Sequence, residues 1–144
     1  MFSIHQVTSL PPQLAELERE ASAQGYRFIG RLMDDWRNGS NRFDKPGECL
    51  LVAADNGVLA GIGGLNIDPY LPGGTTARLR RLYVANAFRR RGIGEALVAA
   101  LLKKASPQFH QVRLTTDTES AAVFYVRLGF TAVDDATATH VKTL

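Results

Sequence analysis

Leu82-Tyr83-Val84-Ala85-Asn86-Ala87-Phe88-Arg89-Arg90-Arg91-Gly92-Ile93-Gly94 joins the apolar end of one segment to the start of another through a turn dense in arginine and glycine. Upstream, Ala77 to Val84 alternates basic and apolar residues, as a strand with one accessible face does. Downstream, Ile93, Leu97 and Leu101, flanked by Val98 and Leu102, recur at helical spacing, and Lys103-Lys104 near the end complement the helix dipole. Strand, turn and helix are therefore contiguous. At a helix entry the free backbone N–H groups and the dipole favour negative charge, and Gly92 and Gly94 remove the Cβ atoms that would hold a pyrophosphate away. The turn is not a dinucleotide fingerprint, because Leu97 stands where a third glycine is needed, nor a Walker A loop, because no Gly-Lys-Ser/Thr follows. Gly61-Ile62-Gly63-Gly64 fails likewise, with Asn66 in the third glycine place. By itself the turn also reads as solvated arginines beside ordinary turn glycines.

Working outward, Cys49 to Ala54 and Val58 to Leu65 flank Asp55-Asn56-Gly57 and predict a β-hairpin. Asp68 to Thr76, rich in Pro and Gly, is a loop. Before the hairpin, Ser3 to Thr8 is partly alternating, and Ser9-Leu10-Pro11-Pro12 announces a helix capped by the serine, with Leu14, Leu17 and Ala21 on its face. A second helix carries Phe28, Ile29, Leu32, Met33 and Trp36 and stops at Asn38-Gly39. Towards the C-terminus, Gln111 to Thr116 predicts a strand and Glu119 to Leu128 a helix stopped by Gly129. Phe130 to Val133 and His140 to Leu144 follow as strands. The order β-α-α-β-β-β-α-β-α-β-β predicts an α/β (α+β) domain over residues 1–144, with a mixed sheet covered by helices on both faces.

Seventeen basic and fourteen acidic side chains leave a formal charge of +3, so anion binding must come from local clusters such as Arg89 to Arg91. That mild field, without aromatic interleaving among Arg78, Arg80, Arg81 and Arg89 to Arg91, argues against a nucleic-acid partner. No apolar run approaches the roughly 18 residues of a membrane span, and the N-terminus lacks the layout of a signal peptide. Membrane association is not expected. Cys49 is the only cysteine, which fits a reducing, cytoplasmic setting, and its apolar surroundings predict an inert buried thiol. His5, His110 and His140 are scattered without ligand spacing, so no metal is expected. The pairs Asp34-Asp35 and Asp134-Asp135 read as surface charge.

The stretch Leu82 to Gly94 resembles the central motif of the GNAT superfamily of N-acetyltransferases, in which Arg/Gln-x-x-Gly-x-Gly/Ala follows a strand and opens a helix. Ala121-Ala122-Val123-Phe124-Tyr125-Val126-Arg127-Leu128-Gly129-Phe130 is similar to that family's Ala-x-x-x-Tyr-x-x-x-Gly-Phe segment. The resemblance implies a mostly antiparallel sheet of about seven strands and acetyl-CoA as acyl donor. It further implies that the strand ending at Leu82-Tyr83-Val84 splays from its neighbour and offers main-chain groups to the pantetheine arm. Arg89, Arg90, Arg91, Gly92, Ile93 and Gly94 would enclose the pyrophosphate. Tyr125 matches the tyrosine that protonates the departing thiolate, and a backbone N–H near Val84 would polarise the thioester carbonyl.

The sequence departs from the family pattern at two places. Arg78 stands where many members carry a glutamate base, and Thr118 replaces an asparagine seven residues before the tyrosine. Asp68 and Glu48 are the remaining candidates for relaying the amine proton through water. Arg78 and Arg80 should share a strand face towards the acceptor, so an acceptor amine with a carboxylate or phosphate is expected, small molecule or peptide. The missing glutamate also allows a non-catalytic acyl-CoA-binding module. Assembly as a homodimer is left open.

Overall fold

The computed structural model describes residues 1–144 as β1 (Phe2–Val7), α1 (Leu14–Ala23), α2 (Phe28–Asn38), β2 (Cys49–Asp55), β3 (Val58–Ile67), β4 (Thr76–Val84), a single 3-10 turn (Asn86–Phe88), α3 (Ile93–Ala105), β5 (Gln111–Leu114), α4 (Glu119–Arg127), β6 (Thr131–Asp135) and β7 (Ala138–Thr143). The element order is the one predicted. All seven strands form one sheet in the order β1-β2-β3-β4-β5-β7-β6. Every pairing is antiparallel except β4 with β5, which is parallel. That parallel step needs a crossover, and α3 supplies it.

Two cores sit on opposite faces of the sheet. On one, Ile93, Leu97, Val98, Leu101 and Ala105 of α3 pack on Leu51, Ala53, Leu65 and Leu79, with Tyr125 of α4 alongside. On the other, Leu14, Leu17 and Ala21 of α1 and Ile29 and Leu32 of α2 cover Leu50, Val52 and Ile62. The Gly61 and Gly63 backbones let α3 lie close. A Cβ at Gly61 would stand 3.1 Å from Leu97 Cδ1, and one at Gly63 would stand 3.2 Å from Leu101 Cδ1. These glycines thus serve helix-on-sheet packing.

The β2–β3 turn has Asn56 at φ 51° and Gly57 at φ 79°, the left-handed pair that a two-residue hairpin turn requires. Gly39 ends α2 in the left-handed conformation as predicted. The start of α1 differs from the prediction: the helix begins at Leu14, after both prolines, and Ser9 does not cap it. Gln13 precedes it instead and spends its amide on the hairpin, donating to Gly57 O at 2.8 Å and accepting from Leu59 N at 2.7 Å. A long-range bond thus fixes the helix entry where a local cap was expected.

The feature that shapes the centre of the molecule is an irregularity in β4. Arg80 faces Gly64 across the ladder, yet Tyr83 faces Ile62, so β4 carries one more residue than β3 over this stretch. Arg81, at φ 62°, is in the left-handed region at this bulge. The extra residue changes which side chains share a face. Leu79, Leu82 and Val84 all meet the α3 core, whereas Tyr83 joins the α1–α2 core. A regular strand would have put Tyr83 on the same side as Leu79.

Candidate active site

Parallel pairing of β4 with β5 lasts only for Thr76, Ala77 and Arg78 against Gln111, Val112 and Arg113. Beyond Arg78 the two strands part, and the sheet splits. A cleft of about 910 Å³ occupies the split. Its lining comes from both faces of the sheet: Ile93, Gly94, Phe124 and Tyr125 from the α3–α4 side, and Arg27, Phe28 and Arg31 from the α1–α2 side. The cleft is therefore a passage with two unlike mouths.

On the α3 side the edge of β4 is open. Ala85 N donates to Ala60 O at 2.8 Å, so the ladder with β3 leaves the N–H and C=O of Val84 on the opposite edge, facing the gap. Arg89 holds that end of the strand, its Nε donating to Val84 O at 3.0 Å and its Nη2 to Gln24 Oε1 at 3.2 Å. Gly92 is the left-handed N-cap of α3 at φ 78°, and nothing lies within 4 Å of where its Cβ would be. Exposed space over the first free N–H groups of a helix is the geometry that admits a phosphate. A Cβ at Gly94 would lie 3.4 Å from Phe124 Cζ and 3.6 Å from Val84 Cγ2, so helix start, α4 and strand end converge there. Tyr125 lies beside them, 8% exposed, its ring in edge contact with Phe124 and Phe130. Burial raises the pKa of its phenol, which stays protonated at neutral pH. Thr118 accepts from Ala121 N at 3.2 Å as the N-cap of α4 and also lines the cleft.

On the α1–α2 side the chemistry is ionic. Arg78 is 6% exposed and lies 3.5 Å from Asp68 Oδ2, while its Nη2 donates to Thr115 Oγ1 at 2.6 Å. Arg113 reaches the same Asp68 oxygen at 3.2 Å and also pairs with Asp135 at 2.9 Å. One buried carboxylate thus serves two guanidinium groups. Arg81 pairs with Asp35 at 3.4 Å, and its Nε is buried with no hydrogen-bond partner. Burial lowers the pKa of both Arg78 and Arg81, and neighbouring Arg80 lowers each further. Arg31 and Arg80 line the cleft and form no ion pair. Tyr83 crosses to this side, where its hydroxyl donates to Glu20 and accepts from Gln24 Nε2 at 3.0 Å. Burial and the bond to Glu20 push its pKa up to about 12.

Of the residues singled out from sequence, Leu82, Tyr83, Val84, Arg89, Arg90, Gly92, Ile93, Gly94 and Tyr125 line this one cleft. Arg91 does not. It turns to Asp55 at 3.5 Å and lies over the Phe88 ring. Arg78 reaches the cleft already engaged with Asp68. Neither candidate proton relay is free: Asp68 carries the two arginines, and Glu48 accepts from Lys45 N at 3.1 Å and Ile67 N at 2.8 Å. Of the two acidic pairs, Asp34, Asp134 and Asp135 are exposed as expected, while Asp35 is half-buried; Asp35 and Asp135 each hold an arginine. Sequence reading missed Arg113, Glu20 and Gln24, whose partners lie far along the chain, and Arg31, which α2 brings to the cleft without a partner. The bulge did leave a signal, because the doubled Arg80-Arg81 breaks the alternation of β4 at the residue where the ladder slips.

The profile of the acetyltransferase (GNAT) domain matches residues 46–132. Among solved structures, the chain is similar to a protein from Exiguobacterium sp. 255-15 assigned as an acetyltransferase, at 26% identity and TM-score 0.88, covering 99% of this chain and 93% of that one. A GNAT-family acetyltransferase from Staphylococcus aureus Mu50 shares the fold at 18% identity and TM-score 0.76, covering 99% of each chain. So does a ribosomal-protein-alanine N-acetyltransferase from Brucella melitensis, at 19% identity and TM-score 0.72, again covering 99% of each. No curated protein matches the sequence. With the family profile spanning residues 46–132 and a split sheet of this topology, the chain belongs to the GNAT acetyltransferase family.

Proposed function

We propose that this acyltransferase takes the acetyl group of acetyl-CoA and passes it to a primary amine by direct attack. The observation that carries the reading is the open edge of β4 at Val84, lying within one cleft beside the Arg-Gly turn and the Tyr125 ring. The fit is supported by the unobstructed space at Gly92 and by exposed Arg90 at the same mouth. An extended pantetheine can pair with the Val84 edge as an added strand, and the turn can take the pyrophosphate.

The thioester supplies an activated acyl carbon and a thiolate leaving group. The Val84 N–H donates to the carbonyl oxygen as negative charge gathers there. The acceptor enters from the α1–α2 mouth as the neutral amine, forms the C–N bond, and loses its proton to water in the cleft. Tyr125 gives its phenolic proton to the sulfur as the C–S bond breaks, and water then restores it. Because burial raises the Tyr125 pKa, the donor remains loaded across the neutral range. A cytoplasmic setting completes the proposal, resting on the lone unpaired cysteine. No helix is long and apolar enough to cross a membrane.

The second reading, an acyl-CoA-binding module without turnover, draws on the engagement of Asp68 and Glu48, which leaves neither carboxylate as a base. A thiol-release assay with acetyl-CoA over a broad amine panel, alongside calorimetry of CoA binding, separates the two. Release that depends on the amine supports the transferase. Tight CoA binding with no release for any amine would leave the module.

A further inference from the structure

The α1–α2 mouth of the cleft carries a surplus of positive charge. Arg27, Arg31, Arg78, Arg80 and Arg81 all line the cleft, and the only carboxylates ion-paired with this group are Asp35 and Asp68. Asp68 is shared with Arg113, so Arg78 takes only part of its charge. Arg80 stands between Arg78 and Arg81, close enough to disfavour the charged form of both. Arg31 reaches across from α2 and adds to the same repulsion at Arg81. The acids that line the cleft, Glu95 and Asp117, belong to the first turn of α3 and the approach to α4, on the opposite wall.

Such a group costs free energy while it has no counter-ion. Like charges crowd in a partly desolvated cleft, where their repulsion is screened less than at an open surface. The Arg81 Nε is buried without a partner, a donor that proteins rarely leave unmet. A planar carboxylate or a phosphate meets both needs, since guanidinium forks bind oxyanions with paired, charge-assisted hydrogen bonds. Arg78 also keeps a buried Nη1 without a hydrogen-bond partner, but its ion pair with Asp68, its bond to Thr115 and the Tyr70 ring 4.9 Å from its guanidinium carbon enclose it, so it is the least available arm. Arg31 and Arg80, in no ion pair, are the available arms, although Arg80 also borders a neighbouring cavity with Asp35, Asp44 and Glu48.

We infer that Arg31, Arg80 and Arg81 form a seat for an anionic group on the acceptor, so that the amine substrate carries a carboxylate or phosphate. This inference rests on the acyltransferase reading for its biological meaning. Of the two arginines expected to face the acceptor, Arg78 and Arg80, it keeps Arg80 and makes Arg78, paired with Asp68, the buttress of the seat. A polyamine would meet repulsion at the same mouth.

The test compares kcat/KM for amino acids with their amides, and for O-phosphoethanolamine with ethanolamine, in the parent, in Arg80→Gln and in Arg31→Gln. Arg31 is exposed and Arg80 half-buried without an ion pair, so both variants are expected to fold. The expected result is a preference of at least tenfold for one anionic class, with the ratio falling towards one in both variants and unchanged in Lys103→Gln on α3. Which pair shows the preference tells carboxylate from phosphate. Equal use of anionic and neutral acceptors, or a ratio that survives in both variants, overturns the seat and leaves the transferase standing. If no amine is acetylated, the transferase reading fails and the seat is judged by binding. Inorganic phosphate is titrated into CoA-saturated protein while the arginine Nε–H resonances are followed by NMR. Saturable shifts at Arg80 and Arg81, weakened at least tenfold in Arg31→Gln, support it. Their absence overturns it.

Discussion

The two mouths of the cleft are built by different means. The α3 mouth is made of main chain: a strand edge left open by the departure of β5, a left-handed glycine and the first N–H groups of a helix. The α1–α2 mouth is made of side chains: arginines on a bulged strand and a helix, held by carboxylates contributed from positions 35, 68 and 135. Main-chain recognition suits a ligand that is the same in every turnover, since backbone groups cannot be exchanged by substitution. Side-chain recognition suits a partner that differs from one enzyme to another. Under the proposed function, the donor takes the first mouth and the acceptor the second.

The two mouths are most sharply separated by a change at Asp68. Asp68→Ala leaves Arg78 without its carboxylate and Arg113 with only Asp135, and removing one partner of a buried pair costs about 3–5 kcal/mol. Chemical denaturation should show that loss. In whatever fraction stays folded, CoA affinity measured by calorimetry should hold within a few fold. A parallel loss of CoA affinity would show that the two mouths are not separable.

Tyr125→Phe addresses the junction. It removes one donor and little volume, so turnover should fall roughly ten- to a thousandfold with CoA affinity kept within a few fold. The raised pKa adds a signature in pH. Tyr125 binds its proton more tightly folded than unfolded, so kcat should show no alkaline loss from this group below about pH 10. The stability contributed by the buried neutral phenol is likewise complete below about pH 10 and fades above it. Unchanged turnover, with chemistry shown to be the slow step, would reduce Tyr125 to a core residue.

At the α3 mouth, Gly92→Val introduces a β-branched side chain at φ 78°, in the space proposed for the pyrophosphate. CoA affinity should weaken at least tenfold, or about 1.4 kcal/mol. Backbone strain will lower stability as well, so the affinity is to be read on folded protein. Gly94→Ala provides the milder comparison, since its Cβ would meet only ordinary contacts. Equal CoA affinity in folded Gly92→Val would remove the turn from the binding site.

The smallest effect is expected at Cys49, which is 3% exposed and whose thiol is pushed up to about 11 by burial. A thiol reagent should leave native protein at pH 8 essentially unmodified, while the unfolded chain reacts at once. Rapid native labelling would mean that the split in the sheet opens into the α3 core.

Legibility in the sequence follows the same division. The α3 mouth could be read because its determinants are contiguous: Val84, the arginines, the glycines and Ile93 lie within a single strand–turn–helix. Helix and strand order were readable for a related reason, each being a local period of apolar residues. The α1–α2 mouth was not, because its meaning lies in pairings such as Arg81 with Asp35 and Arg113 with Asp68, separated by 46 and 45 residues. The same limit explains Gln13, whose partner is a hairpin turn 44 residues away. Arg78 shows the boundary: its strand position was evident, but its engagement with Asp68 depended on where a loop folds back.

The extra residue in β4 has a consequence for how this chain tolerates change. A strand is counted in twos, and Arg81 sets the count from odd to even for everything after it. Deleting Arg81 would remove the slip and leave Leu79, Arg80, Leu82, Tyr83 and Val84 in plain alternation opposite Leu65 to Gly61, with Leu82 and Val84 still towards α3 and Tyr83 still towards α1 and α2. An alignment would score that deletion as a trivial gap in a basic stretch; the sheet would keep its facing and lose only the kink at Arg81 and the tie from β4 to Asp35.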